Sequence, residues 1–149
     1  MIDAFNPAKI WKPFGVFSMG AIQGEGRVVH LKGQIALDKE GAVIAKGDMR
    51  EQTRKTLENI RAVLACVGGE MQDIVAMTHH VTDIEAFMKT ADIRREFFTA
   101  PFPVTTTAQV VRLFHPDLVV EMTATAEIPG DRFKPPARGD EGADCAHTS

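Results

Sequence analysis

Apolar and polar positions alternate at several places along this chain and switch to a helical repeat at two others, and the change of period lays out its elements. Over Arg27 to Ala36, Val29, Leu31, Gly33 and Ile35 alternate with Val28, His30, Lys32 and Gln34, which predicts a half-buried strand. Phe14 to Ile22 reads as a strand before it, leaving through Gly24-Glu25-Gly26. Asp38-Lys39-Glu40-Gly41 then turns the chain into a short returning strand, Ala42 to Ala45. Asp48 is suited to cap a helix, with Glu51 three residues on. Leu57, Ile60, Leu64 and Val67 follow at helical spacing until Gly68-Gly69 stops them. Ile74 to Thr82 is the next strand. A second amphipathic helix, Ile84 to Phe98, turns Phe87, Ile93 and Phe97 or Phe98 inward and ends before Pro101 and Pro103.

The last ordered stretch predicts a closing hairpin. Val104 to Leu113 and Leu118 to Ile128 flank Phe114-His115-Pro116-Asp117, a turn signal between two strand-like runs. In the second run Val120, Met122, Ala124, Ala126 and Ile128 share one face. Glu121, Thr123 and Thr125 therefore share the other.

This order of strands, helix, strand, helix and two strands is an α+β layout, with both helices on one face of a single mixed six-stranded sheet. The far face would carry Lys32, Gln34, Thr105, Thr107, Glu121 and Thr123 beside Val111, Leu113 and Val119. Such a surface is too apolar for water and too polar for a monomer's core. Burial against copies of the same chain resolves the conflict.

Composition changes this picture little. The 149 residues make one domain: an arm from Met1 to Pro13, a folded unit over 14–129, and a Pro-, Gly- and Asp-rich stretch, Gly130 to Ser149, expected to be a disordered tail. A net charge of -3, with scattered cations, argues against nucleic acid as a partner. Cys66 and Cys145 form neither a metal-ligand pattern nor a disulfide framework, so a reducing compartment and a partly exposed Cys66 thiol are expected. With no leader-like start and no apolar run long enough to span a bilayer, the expected location is the cytoplasm, without membrane contact. His79 and His80 point to opposite faces of one strand and cannot easily share an ion, so no metal is expected.

Several features together resemble the RidA/YjgF family: Gly33-Gln34-Ile35, the helix Gln52 to Gly69 (QTRKTLENIRAVLACVGG), the exit Val81-Thr82-Asp83, and Phe102-Pro103 before the last two strands. The resemblance runs from about Phe14 to Ile128. It implies a chorismate-mutase-like α+β fold, a homotrimer around a central β-barrel, and small-molecule clefts between subunits. It further implies hydrolysis of reactive imines or enamines without a cofactor.

In that family a glutamate of the last strand suits the placing of water, and here it matches Glu121. The family's carboxylate-gripping arginine, two positions after the Phe-Pro proline, is replaced by Thr105. Phe17 stands where a phenol is usual, and Lys32 where a hydroxyl precedes Gly-Gln. The resemblance thus assigns Glu121 as the catalytic group and Thr105, Thr107, Lys32 and Phe17 as substrate-binding groups. Lys32 is either a cleft cation or the ion-pair partner of Glu121. Loss of the arginine leaves a second reading open, a non-catalytic binding or regulatory trimer.

Overall fold

The computed structural model describes residues 2–139 and 142–144. Four strands form the main sheet: β3 (Arg27–His30), β4 (Ile74–Val81), β5 (Val104–Gln109) and β6 (Val120–Ile128). Their order across the sheet is β3-β6-β4-β5, with only the β4–β5 pair parallel. Two short strands, β1 (Asp3–Phe5) and β2 (Gly20–Ile22), make a separate antiparallel ribbon, and β7 (Ala137–Gly139) pairs with β8 (Gly142–Asp144). Helix α1 (Met49–Ala65) lays Leu57, Ile60 and Leu64, all fully buried, on the sheet. They pack with Met77, Val81, Val120, Met122 and Ala124 in the main core. The α+β class and the mixed sheet agree with the sequence pattern.

Local signals are accurate where a side chain meets its own backbone. The Asp48 carboxylate caps α1 by accepting from the Glu51 amide at 3.1 Å. At the other end Gly68 takes a positive φ of 80° and the Gly69 amide bonds back to the Leu64 carbonyl at 2.8 Å, a glycine stop. Along β6 the expected alternation is complete: Val120, Met122, Ala124, Ala126 and Ile128 are buried, and the residues between them are not.

Several expectations need correction. The predicted closing hairpin does not exist, because β4 lies between β5 and β6. Residues 110–119 cross over instead, and the His115-Pro116-Asp117 signal is a turn inside that crossover, with the Leu118 amide bonded to the His115 carbonyl. The six-stranded sheet is a four-stranded one plus the β1–β2 ribbon. The first predicted strand survives only as β2 and a bridge between Ser18 and Val104, and the Ala42 to Ala45 strand only as a bridge between Leu37 and Val43. The arm contributes β1.

The second helix is broken into α2 (Ile84–Met88) and α3 (Ala91–Phe97). Thr90, at the break, is buried and turns its hydroxyl onto the Phe87 carbonyl at 2.6 Å. Finally, the start of the expected tail is held to the domain. Arg132 donates to both Asp73 carboxylate oxygens, and Phe133 receives the Arg27 guanidinium 4.5 Å from its ring centroid. Of that stretch, residues 140, 141 and 145–149 lie outside the described residues. Cys66 is disulfide-bonded, so the expected partly exposed thiol is not free. No helix among the described residues is long and apolar enough to cross a membrane.

Candidate functional site

Strand register divides the expected site residues between two faces. Thr105 pairs with Met77 and Thr107 with His79 across the parallel β4–β5 ladder, so both threonines point to the helix side. Glu121 pairs with His80 and points to the far side. Placing Thr105 and Thr107 beside Glu121 is thus a further correction. It follows from the register that sets Thr105 beside Met77 and Thr107 beside His79, which strand propensity does not encode; Thr106, beside Thr78, is the far-face threonine.

Phe17, Thr105 and Thr107 do meet, in a cleft of about 420 Å³ along the edge strand β5. The adjacent Ser18 amide bonds to the Pro103 carbonyl at 2.9 Å, which brings Phe17 against the start of β5. Trp11 and Phe14 complete an aromatic wall, with ring centroids 5.3 to 6.0 Å apart among the three. Met88 of α2 and Arg94 and Arg95 of α3 close the other side.

The floor beneath the threonines is polar and uncharged. His79 is almost fully buried, and its Nδ1 lies 2.9 Å from Thr107 Oγ1. Burial, then the charges of Arg94 and His80, hold its pKa down to about 3, so the ring is a neutral hydrogen-bonding group near pH 7. The His79 ring stacks at a tilt on Phe87, 5.0 Å between centroids. On Phe87 rests the guanidinium of Arg94, 4.6 Å from the ring centroid.

Arg94 was not anticipated from the sequence. It is only 9% exposed, and its Nε has no acceptor. Burial, then the neighbouring Arg95, lowers its pKa from the usual arginine value without discharging it. One signal was available: Arg94 follows Phe87 by seven residues and precedes Phe98 by four, which sets it on the inward stripe rather than among surface cations. The helix break at Thr90 obscured that spacing.

Glu121 and Lys32 lie elsewhere. The Glu121 carboxylate rests against Gly33, where a β-carbon would stand 2.5 Å from its Oε1. Lys32 is exposed, reaches only the Gly33 carbonyl at 3.5 Å, and lines a separate groove of about 530 Å³ with Lys39, Lys55 and Asn59. Among the described residues Lys32 and Glu121 form no ion pair. His80 shares the Glu121 face. Among the described residues no cluster of three or more His, Cys, Asp or Glu side chains is placed to hold a metal.

The sequence profile of the family described as Endoribonuclease L-PSP matches residues 8–128. A RutC family protein of Pyrococcus abyssi is 36% identical over 115 residues, covering 77% of this chain and 88% of that protein. A 2-iminobutanoate/2-iminopropanoate deaminase of Dermatophagoides farinae is 30% identical over 102 residues, covering 68% of this chain and 78% of its own. Among solved structures, YyfB of Yersinia pestis, described as a Rid family protein of unknown function, aligns at a TM-score of 0.77 and 28% identity. That alignment covers 85% of this chain and 98% of YyfB.

Proposed function

The chain belongs to the Endoribonuclease L-PSP family, the RidA/YjgF group, and from that membership we propose that it is a hydrolytic deaminase of a reactive imine, enamine or similarly labile small metabolite. The observation that carries the reading is the convergence of Phe17, Thr105 and Thr107 on one cleft beside a buried cation, in a relative of an iminobutanoate deaminase.

The arrangement proposed is intersubunit. Glu121, Gly33 and Lys32 of one copy form one wall and Phe17, Thr105 and Thr107 of the next form the other, within a homotrimer. Two features support this: Thr105 and Thr107 lie on the face of one chain's sheet opposite Glu121, and the far face mixes Val28, Thr106, Thr123 and Glu121 without a covering element among the described residues.

In such a cleft water adds to the carbon of the protonated imine while Glu121 takes a proton from it, giving a neutral carbinolamine. The carboxyl passes that proton to the nitrogen, which departs as ammonia, while the carboxylate so regenerated takes the proton of the carbinolamine hydroxyl as the carbonyl forms and releases it to solvent. The residues so assigned require no cofactor. A cytoplasmic setting, where pyridoxal-phosphate enzymes release imines, is part of the proposal.

The test is ammonia or carbonyl release from imines generated in situ, for wild type and Glu121→Ala, with particle mass by light scattering. Acceleration by wild type, its loss in the variant and a trimer mass are expected. Equal rates with and without protein would overturn the enzymatic reading and favour the non-catalytic binding trimer, and a monomer mass would remove the shared cleft.

A further inference from the structure

We propose that Arg94 anchors the carboxylate of the ligand in the Phe17–Thr107 cleft, and that this ligand is a small 2-oxo or 2-imino acid with an aromatic or similarly bulky apolar side chain. The inference rests on that cleft being the substrate site and adds which acid it takes.

The first ground is the state of Arg94. A guanidinium nitrogen removed from water needs an acceptor, and Arg94 buries its Nε without one while its terminal nitrogens are left without a protein acceptor among the described residues. Arg94 is nine-tenths buried, its Nε is unsatisfied, and among the described residues no carboxylate or carbonyl accepts from its side chain. The neighbouring arginines contrast with it: Arg50 is forked onto Asp92 at 2.7 and 3.1 Å, and Arg54 is paired with Glu51 and Glu96. A carboxylate entering the cleft supplies the missing acceptor in the bidentate geometry a guanidinium favours.

The second ground is how firmly Arg94 is oriented. Phe87 lies beneath its guanidinium, and the neutral His79 below is occupied with Thr107, so no internal anion competes for it. The Thr105 and Thr107 side chains stand beside it along β5 as neutral hydroxyls. Position 105 therefore does not have to carry the positive charge. A cation projecting from α3 serves the same cleft from its other side.

The third ground is the wall opposite. Trp11, Phe14 and Phe17 form a three-ring cluster lining the cleft, and Trp11 and Phe14 remain 61% and 72% exposed. Rings of this size left in water gain from covering a flat apolar group, and a cleft of about 420 Å³ admits one. An acid with only a methyl side chain would leave that wall wet.

The experiment measures binding of stable probes by calorimetry, without turnover: phenylpyruvate, pyruvate, phenylacetate and its neutral isostere phenylacetamide. Wild type is expected to bind phenylpyruvate at least about tenfold more tightly than pyruvate, and phenylacetate at least about tenfold more tightly than the amide. Arg94→Gln should lose that advantage of acid over amide, and Arg94→Lys should restore part of it, with thermal melts showing both variants folded. Equal binding of acid and amide by wild type, or unchanged acid binding by folded Arg94→Gln, would overturn the anchor. Equal affinity for pyruvate and phenylpyruvate would overturn the aromatic preference. Glu121→Ala separates the two readings, since it should abolish turnover and keep Arg94-dependent binding. Acid binding without any turnover in wild type would end the deaminase reading while supporting the anchor.

Discussion

Gly33 lies so close to Glu121 that a β-carbon at position 33 would stand 2.5 Å from the carboxylate Oε1 and 3.0 Å from its carbon. The contact is with the tip of a flexible side chain. Gly33→Ala should therefore fold with a stability change within about 1 kcal/mol, while the carboxylate swings away. If Glu121 places water, turnover should fall by about tenfold or more with a nearly unchanged melting temperature. Full activity in a folded Gly33→Ala protein would remove the need for a fixed Glu121.

His79 makes stability depend on pH. Its folded-state pKa, about 3, lies below the ordinary 6.5, so as pH falls the unfolded chain takes up a proton that the folded chain refuses. Its contribution is complete above pH 6.5 and is lost progressively down to about 3, at roughly a kcal/mol or more per pH unit. Urea unfolding between pH 7 and 4 should show a shallower acid loss for His79→Gln than for wild type. Parallel curves would mean that the buried ring is not the group being protonated.

Gln52 is a buried polar hub. Its amide nitrogen donates to the carbonyls of Ile44, Ala45 and Asp117, and its oxygen accepts from the Val119 amide at 2.9 Å. One side chain thus fastens α1 to the loop before it and to the end of the β5–β6 crossover. Gln52→Leu keeps the bulk and strands those partners, which should cost roughly 2–4 kcal/mol in chemical denaturation.

Beyond β6, Arg132 pairs with Asp73, whose side chain is 1% exposed. Arg132→Ala should cost about 2–3 kcal/mol, at or below the foot of the range for a fully buried pair because Arg132 itself keeps a third of its surface in water. Adding Asp73→Asn should recover part of the loss, since the uncompensated charge is gone. No recovery would point to lost packing of residues 129–134 instead.

The sequence by itself determined what depends on nearest neighbours. The alternation along β6, the Asp48 cap, the glycine stop of α1 and the inward stripe of Leu57, Ile60 and Leu64 all follow from local backbone geometry and side-chain period. The Gly33-Gln34-Ile35 and Gln52 to Gly69 motifs were enough to indicate the family. Tertiary structure decided which strands are neighbours, because an edge of a strand is the same hydrogen-bonding surface whichever partner takes it. Nothing local in Val104 to Gln109 specifies a parallel partner, yet that pairing turns Thr105 and Thr107 toward α3 and away from Glu121. Arg94 depended on the same choice. Its position on the helix stripe was readable, but its unpaired, buried state exists only once β5, the aromatic arm and α3 close around it.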